Sequence, residues 1–411
     1  MPLSLLTSTA PGKKAPGGRS VGATAFARMK HSLASCAMLL MSSMAYAGLG
    51  SLLGLGGDSG QLAKLEFRLR DNFPVTSVAW SPDGRYIATA STQRNLIHIW
   101  DAQQRQLIHE ITLAASQTFF HGLSWSPDGR YLTSCGGESS LRIYDSRNWT
   151  LARQIGGFRE GICAQNAVFS SDGSQLAVLG SKLRFYDTQD WHLVKTLDLG
   201  NTWGRGYLIN AIAYIPGTHT LLIGGGRFQS TNTPAGYQDR NTGYVWFLEP
   251  DDAVPGRSLQ VYGPETVNGG SGAAISLAMS PDGTQLATGA RTGDGYAPEQ
   301  ARESVHIFSL PKGELLGMPL DGLEFGRQHG LIYTADGRYL VVGHADAQTK
   351  AIHVIDAKTS KVVDQVHGID AVYDLTADPT GRYFAAGTGN QVLVWSLPPP
   401  AGSPSDPVQK Q

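Results

Sequence analysis

The sequence contains no Gly-x-Ser-x-Gly elbow, no phosphate-binding loop, no His-Glu-x-x-His and no Cys-x-x-Cys-His. Those absences remove the sequence signals for an α/β-hydrolase nucleophile, a nucleotide-phosphate cradle, a zinc-peptidase helix and haem attachment. Charge is scarce as well, at 16% of residues with a formal net charge of −1. It is also uneven: residues 1–47 hold Lys13, Lys14, Arg19, Arg28 and Lys30 and no acid, which leaves 28 basic against 34 acidic residues beyond them. A body of that balance has no electrostatic reason to seek nucleic acid or an anionic membrane surface. Nucleic acid is therefore not expected as a partner. No apolar run is long enough to span a bilayer core of about 30 Å, so no transmembrane anchor is expected.

The basic residues near the start fit a targeting segment. Arg28, Met29, Lys30 and His31 form a positive region, residues 33–45 are mostly apolar, and Ala45-Tyr-Ala47 places small residues where a signal peptidase reads them. This is the layout of a cleaved secretory signal. The competing reading is a lipid-modified Cys36 after Leu33-Ala-Ser, but there the apolar region precedes the box, and here basic residues do. The expectation is an exported protein, in a bacterial periplasm, with mature start near Gly48; Met1 and Met29 both remain possible start codons. A leader and signal then occupy 1–47, a flexible linker 48–61, the folded body 62–398, and a disordered tail 399–411.

What the chain has in abundance is glycine, 50 residues, placed among Val, Ile, Leu, Tyr and Trp. That composition points to an all-β protein with many tight turns. Internal repeats give the architecture. Val78-Ala-Trp-Ser-Pro-Asp-Gly-Arg-Tyr-Ile87 precedes Leu96-Ile-His-Ile-Trp-Asp101, and Leu123-Ser-Trp-Ser-Pro-Asp-Gly-Arg-Tyr-Leu132 precedes Leu141-Arg-Ile-Tyr-Asp145. Further copies centre on Asp172-Gly173, Pro216-Gly217, Asp282-Gly283, Asp336-Gly337 and Thr380-Gly381, making seven. Asp83, Asp128 and Asp172 lie 45 and 44 residues apart, as expected for one four-stranded blade per repeat. Asp-Gly supplies a tight turn, because Gly takes φ > 0 and Asp bonds its own backbone. The expected fold is an all-β, seven-bladed β-propeller of four-stranded antiparallel blades. The last repeat provides only three strands, to about Leu397, so the strand Ala63-Lys-Leu-Glu-Phe-Arg-Leu69 is expected to complete it and clasp the ring.

These units resemble WD repeats over residues 62–398, with Trp100-Asp101 as the name-giving dipeptide and a YVTN-like variant at Val354-Ile-Asp-Ala-Lys-Thr-Ser-Lys-Val-Val363. The resemblance implies a propeller used as a binding or assembly platform. Two departures stand out. The family's Gly-His pair before the first strand is absent in that order, and no Asp precedes the third strand in Thr92-Gln-Arg-Asn-Leu96 or Glu138-Ser-Ser-Leu141. The family's Asp–His bonding network therefore lacks its usual residues.

The recurring Asp83, Asp128, Asp172, Asp282 and Asp336 read as turn residues rather than acid–base or calcium groups. His98, His306 and His353 share one position of the third strand and are spread around the ring, whereas a metal site needs convergent ligands. Trp80, Trp100, Trp125 and Trp395 read as core. Gly224-Gly-Gly226 reads as a strand end rather than a dinucleotide fingerprint, since no helix pattern follows. No cofactor or metal is expected.

Two insertions break the regularity, at 226–243 in the fourth repeat and 291–303 in the fifth, each between second and third strands. Connections longer than about 12 residues are usually functional or disordered. On the same face, loops entering first strands pair an aromatic with an arginine: Phe158-Arg159, Trp203-Gly-Arg205 and Phe325-Gly-Arg327. The aromatics could seal blade tops beside solvated arginines, or the two could form a rim of hot-spot residue types suited to a peptide carboxylate or another anion. The candidate binding residues are Trp203, Arg205, Phe228, Tyr237, Arg240, Tyr296, Phe325 and Arg327. The leading reading is a non-catalytic scaffold for a protein or peptide. The alternative is a propeller enzyme, of hydrolase or lactonase type, with its site at the mouth of the central channel, which an acidic or His cluster there would mark. A TolB-like envelope role needs an N-terminal domain for which a start near Gly48 leaves no room. After loss of Cys36, Cys135 and Cys163 are either a disulfide across adjacent blades or two separate small buried residues.

Overall fold

Each repeat becomes a blade through the turn that follows its first strand. In the computed structural model Ser81 Oγ donates to Asp83 Oδ1 (2.6 Å), the same oxygen accepts the Arg85 N–H (3.0 Å), and Gly84 takes φ +76°. The arrangement recurs at Ser126–Asp128 (2.5 Å), Ser170–Asp172 (2.6 Å), Ser280–Asp282 (2.6 Å) and Thr334–Asp336 (2.7 Å). The five aspartates are thus engaged in holding turns, as their spacing implies.

The structure describes residues 62–91, 95–113, 122–136, 140–156, 167–180, 182–198, 207–233, 236–262, 273–292, 302–320, 328–344 and 351–399, all within the unit Gln61–Gln411. Among them are 28 strands and no helix that could cross a membrane. The strands form seven four-stranded antiparallel sheets. Blade 1 runs outward as Ser77–Trp80, Tyr86–Ser91, Leu96–Asp101 and Gln106–Thr112. The inner strands of blades 2 to 7 are Leu123–Trp125, Ala167–Phe169, Tyr207–Tyr214, Ala273–Met279, Gln328–Tyr333 and Val372–Ala377. Each lies against the next, and Val372–Ala377 lies against Ser77–Trp80, which closes the ring.

Closure uses both ends of the chain. Lys64–Arg70 is the outer strand of blade 7, antiparallel to Gln391–Ser396, with Leu69 opposite Val392 and Leu65 opposite Trp395. The core lies between blades, as stacked sheets with no second layer require. At the seam, Leu69 of the closing strand packs in one cluster with Val78, Ile87 and Trp100 of blade 1 and Ala385, Val392 and Val394 of blade 7. Trp100, Trp125 and Trp395 are buried as expected, while Trp80 is only partly covered.

The seam also carries polar links. Asp374 Oδ2 of blade 7 accepts from Ser77 Oγ (2.8 Å) and the Val78 N–H (3.0 Å), and Thr376 Oγ1 accepts from the Trp80 N–H (3.0 Å). Ser77 Oγ accepts in turn from the Leu123 N–H of blade 2 (3.1 Å). An inner strand has a free edge whose N–H groups need partners, and here side chains of the preceding blade supply them.

Two expectations are corrected. The segment 226–243 is not a loop: blade 4's second and third strands, Leu221–Thr233 and Gly236–Leu248, run through it in continuous register. Gly224, Gly225 and Gly226 are accordingly mid-strand, not at a strand end. A Cβ on Gly224 would lie 3.1 Å from Leu277 Cγ of blade 5, so the small residue there permits close blade packing.

Candidate functional site

Chain direction fixes which connections share a face. In an antiparallel blade read from inside out, the link entering the first strand and the link between second and third strands lie at one end, the entry face. The two remaining turns lie at the other, the turn face.

On the entry face blade 4 stands apart. The inner strand begins at Tyr207, opposite Arg227, and the outer strand ends at Tyr262, opposite Gly243. Beyond those points residues 228–233 pair with 236–241 as a two-stranded ribbon. At about 3.4 Å per residue it rises roughly 20 Å. Among the described residues no third strand flanks it. The candidates Phe228, Tyr237 and Arg240 all fall on this ribbon, opposite Asn241, Asn232 and Gln229. Phe228 and Tyr237 are four registers apart, about 13 Å along it. In blade 5 the corresponding strands reach Thr292 and resume at Arg302, directly opposite each other, which leaves 293–301 as the connection. Trp203, Arg205, Tyr296, Phe325 and Arg327 lie outside the described residues. So does Cys163, and of Cys135 only the backbone, in the second strand of blade 2, is described.

The best-defined polar cluster beneath the entry face was not legible beforehand. His98 Nδ1 meets Asp71 Oδ2 at 2.9 Å and His98 Nε2 meets Glu110 Oε2 at 3.0 Å. Thr89 Oγ1 donates to Asp71 Oδ2 (3.3 Å) and Trp100 Nε1 donates to Thr89 Oγ1 (3.1 Å). The hydrogen bond to Asp71 raises the imidazole above its ordinary value, against the opposing effect of burial. An Asp–His–Thr–Trp network therefore exists in blade 1, with the Asp supplied across the seam. The other two third-strand histidines do different work. His306 Nδ1 contacts Val261 O (2.9 Å), and His353 Nδ1 meets His344 Nε2 (3.0 Å), with His344 and His353 buried and His306 half-buried. Burial, with His367 nearby, pushes His353 down to about 4. Asp374, deep in the ring though not wholly shielded from water, is pushed up to about 6 by burial despite its three hydrogen-bond donors.

Two clusters on the turn face invite a catalytic or metal reading. Ser174 Oγ and Asp172 Oδ2 both address His219 Nε2, at 3.3 and 3.1 Å. A nucleophile–base–orienter relay needs the carboxylate on the ring nitrogen remote from the serine, so this is turn packing. Asp187, Asp190 and His192 are the one His/Asp/Glu/Cys group among the described residues with three ligand atoms close together. Asp187 and Asp190 are already occupied by the N–H groups of Gln189 (2.8 Å) and His192 (3.0 Å), as ordinary turn acceptors. A crevice between Gln175, Lys195, His219 and Glu249 measures about 40 Å³, room for water and little more.

Comparison with known proteins agrees with the geometry. The family model "WD domain, G-beta repeat" matches residues 64–101 and 109–145, which take in the closing strand of blade 7, the first three strands of blade 1, the end of its fourth strand and the first three strands of blade 2. The chain is a seven-bladed β-propeller whose matched segments are similar to WD repeats. Solved structures of similar shape include a chain described as a propeller domain. The β-propeller domain of Myceliophteria thermophila Cps50 (Swd1) superposes with a TM-score of 0.64 at 16% identity, covering 82% of this chain and 100% of that one. A chain of a mitotic checkpoint complex gives 0.63 at 16% identity, covering 83% and 94%. Kuenenia stuttgartiensis hydrazine synthase gives 0.63 at 16% identity, covering 80% and 97%. At such identity the likeness concerns the fold. WD-repeat propellers commonly serve as protein-interaction scaffolds.

Proposed function

We propose that this propeller is a non-catalytic scaffold that binds a protein or peptide partner on its entry face. The observation that carries the reading is the blade 4 ribbon, which stands about 20 Å clear of the ring with no flanking strand among the described residues. A ring needs no such extension to be stable, since the other blades close with second strands of five to eight residues. A two-stranded ribbon with no flanking strand offers an open backbone edge to an incoming chain. The acidic balance of the body supports a protein partner over nucleic acid. A chain of similar fold belongs to a mitotic checkpoint complex, which is consistent with such a role. We further propose export to a bacterial periplasm, with cleavage after Ala47; N-terminal sequencing of the secreted chain checks it, and a start other than Gly48 rejects that site.

The test of binding is a ribbon deletion. Replacing residues 227–242 by Asn-Gly should leave a two-residue hairpin and an intact ring. Affinity capture from the producing cell should then lose whatever the full chain retains. Equal capture with and without the ribbon rejects the assignment.

A further inference from the structure

The ring is fastened at one seam, and the residue that follows the closing strand reaches across it. Lys64–Arg70 ends at Arg70; the next residue, Asp71, gives its N–H to Asn390 O of blade 7 (2.8 Å) and its carboxylate to blade 1. Val75 N–H bonds Gly389 O (2.8 Å), and a Cβ on Gly387 would fall 2.9 Å from Val75 Cγ1, so the connection lies tight on blade 7. Its hold on blade 1 runs through Asp71 where the closing strand ends and through Thr76, whose N–H and Oγ1 both donate to Ala90 O (2.9 and 3.1 Å), where the first strand begins.

We propose that Asp71, His98 and Glu110 form a proton-loaded latch that fixes the exit of the closing strand to blade 1, and that ring closure loosens when His98 is deprotonated. The chemistry follows from the two ring nitrogens. A neutral imidazole has one N–H and one lone pair, so it can donate to one carboxylate only and turns a lone pair towards the other. The imidazolium donates to both. With Asp71 and His98 side chains only 5% and 6% exposed, their attraction escapes most solvent screening, whereas Glu110 is 50% exposed and contributes less. The groups facing the ring among the described residues are Asp71 from the connection, Glu110 from the outer strand, Thr89 from the second strand and Trp100 on its own strand. Both charged ones favour the cation.

The direction with pH is then set. His98 is held above 6.5 in the folded chain, so its contribution is complete below 6.5 and is lost as pH rises through the folded value. On deprotonation Glu110 is free to turn to solvent, while Asp71 keeps Thr89 and whichever bond the neutral ring can still give.

Two readouts on the full chain test this: the His98 ring resonances against pH, and amide-exchange protection of Leu65 to Leu69 compared with Leu221 to Ile223 in blade 4. His98 should titrate above 6.5, and Glu110→Gln, an exposed change that spares the fold, should lower that midpoint. Protection of the closing strand should fall roughly tenfold through the His98 transition while blade 4 holds, and His98→Gln should abolish that step. A His98 midpoint below 6.5, a midpoint unmoved by E110Q, or closing-strand protection that tracks blade 4 throughout would overturn the latch.

Discussion

Trp149 packs edge-on against Tyr86, ring centroids 5.2 Å apart and planes at 86°, across the boundary between blades 2 and 1. Trp191 repeats the relation against Tyr131, one blade further on, at 5.2 Å and 84°. Each tryptophan sits in the turn between third and fourth strands with φ near +60°, a left-handed conformation that bulky residues avoid. Arg105 holds the same turn position with φ +60° and lies over Phe67 of the closing strand at 4.7 Å. The turns therefore act as inter-blade wedges, and the backbone accepts strain so that an aromatic reaches its neighbour. Trp191→Ala should cost about 3 kcal/mol from lost burial. Trp191→Gly should be more stable than Trp191→Ala by about 1 kcal/mol, because glycine relieves the left-handed strain. In an ordinary loop alanine is the better residue. Thermal melts ranking alanine above glycine would reject the wedge account.

Closure gives the second prediction. A chain starting at Asn72 lacks Leu69, which is 1% exposed, along with the outer strand of blade 7 and the Asp71 link. It should melt well below a chain starting at Gln61, with loss of cooperativity, since the seam cluster would open to water. Equal melting temperatures reject the clasp.

A third prediction concerns acid. Asp374 rises from 3.8 to about 6 on folding, so the folded chain keeps a proton that the unfolded chain releases, and stability falls as pH rises from about 4 to 6. His353 drops from 6.5 to about 4, so the unfolded chain takes the proton first, and stability falls as pH decreases from 6.5 towards 4. Each is worth about 3 kcal/mol, and the two oppose each other over one window. The wild-type melting temperature should change little between pH 4 and 6.5. Asp374→Asn should expose a rise with pH, and His353→Gln a fall. Identical slopes in all three proteins reject both assignments.

Why some of this was legible and some not has physical causes. The turn aspartates announce themselves because one residue sets one local geometry, and Ser81–Asp83 needs nothing distant. The closing strand was legible because a final repeat ending near Leu397 leaves an unpaired strand, and Leu65 to Leu69 alternates suitably. The blade 4 ribbon reads as a loop in the sequence because residues 229–233 and 238–242 are polar throughout, which leaves no period-two signal to read. The latch escaped because Asp71 and His98 lie 27 residues apart across a seam, while the family pattern directs attention to the turn before the third strand. Of the candidate binding residues, the structure locates Phe228, Tyr237 and Arg240 on one ribbon.

The last prediction addresses that site. If the entry face binds the partner, affinity should concentrate in a few aromatic and arginine side chains rather than spread along the connections. Phe228 and Tyr237 share the ribbon, and Trp203 and Arg327, which lie outside the described residues, precede the first strands of blades 4 and 6 in sequence. Trp203→Ala and Arg327→Ala should each weaken binding by more than about 1 kcal/mol, and Tyr237→Ala by a similar amount, with unchanged melting temperature. Arg85 and Arg130 serve as controls: both are exposed on the turn face, where each lies over its neighbouring tyrosine at 5.0 and 4.9 Å. Their alanine variants should bind normally. Titration of each variant against the captured partner by calorimetry separates the cases. Loss confined to the entry-face set supports the assignment; equal loss from both faces, or none from the entry face, sinks it, because a partner gripping the turn face would have no use for a ribbon on the other side.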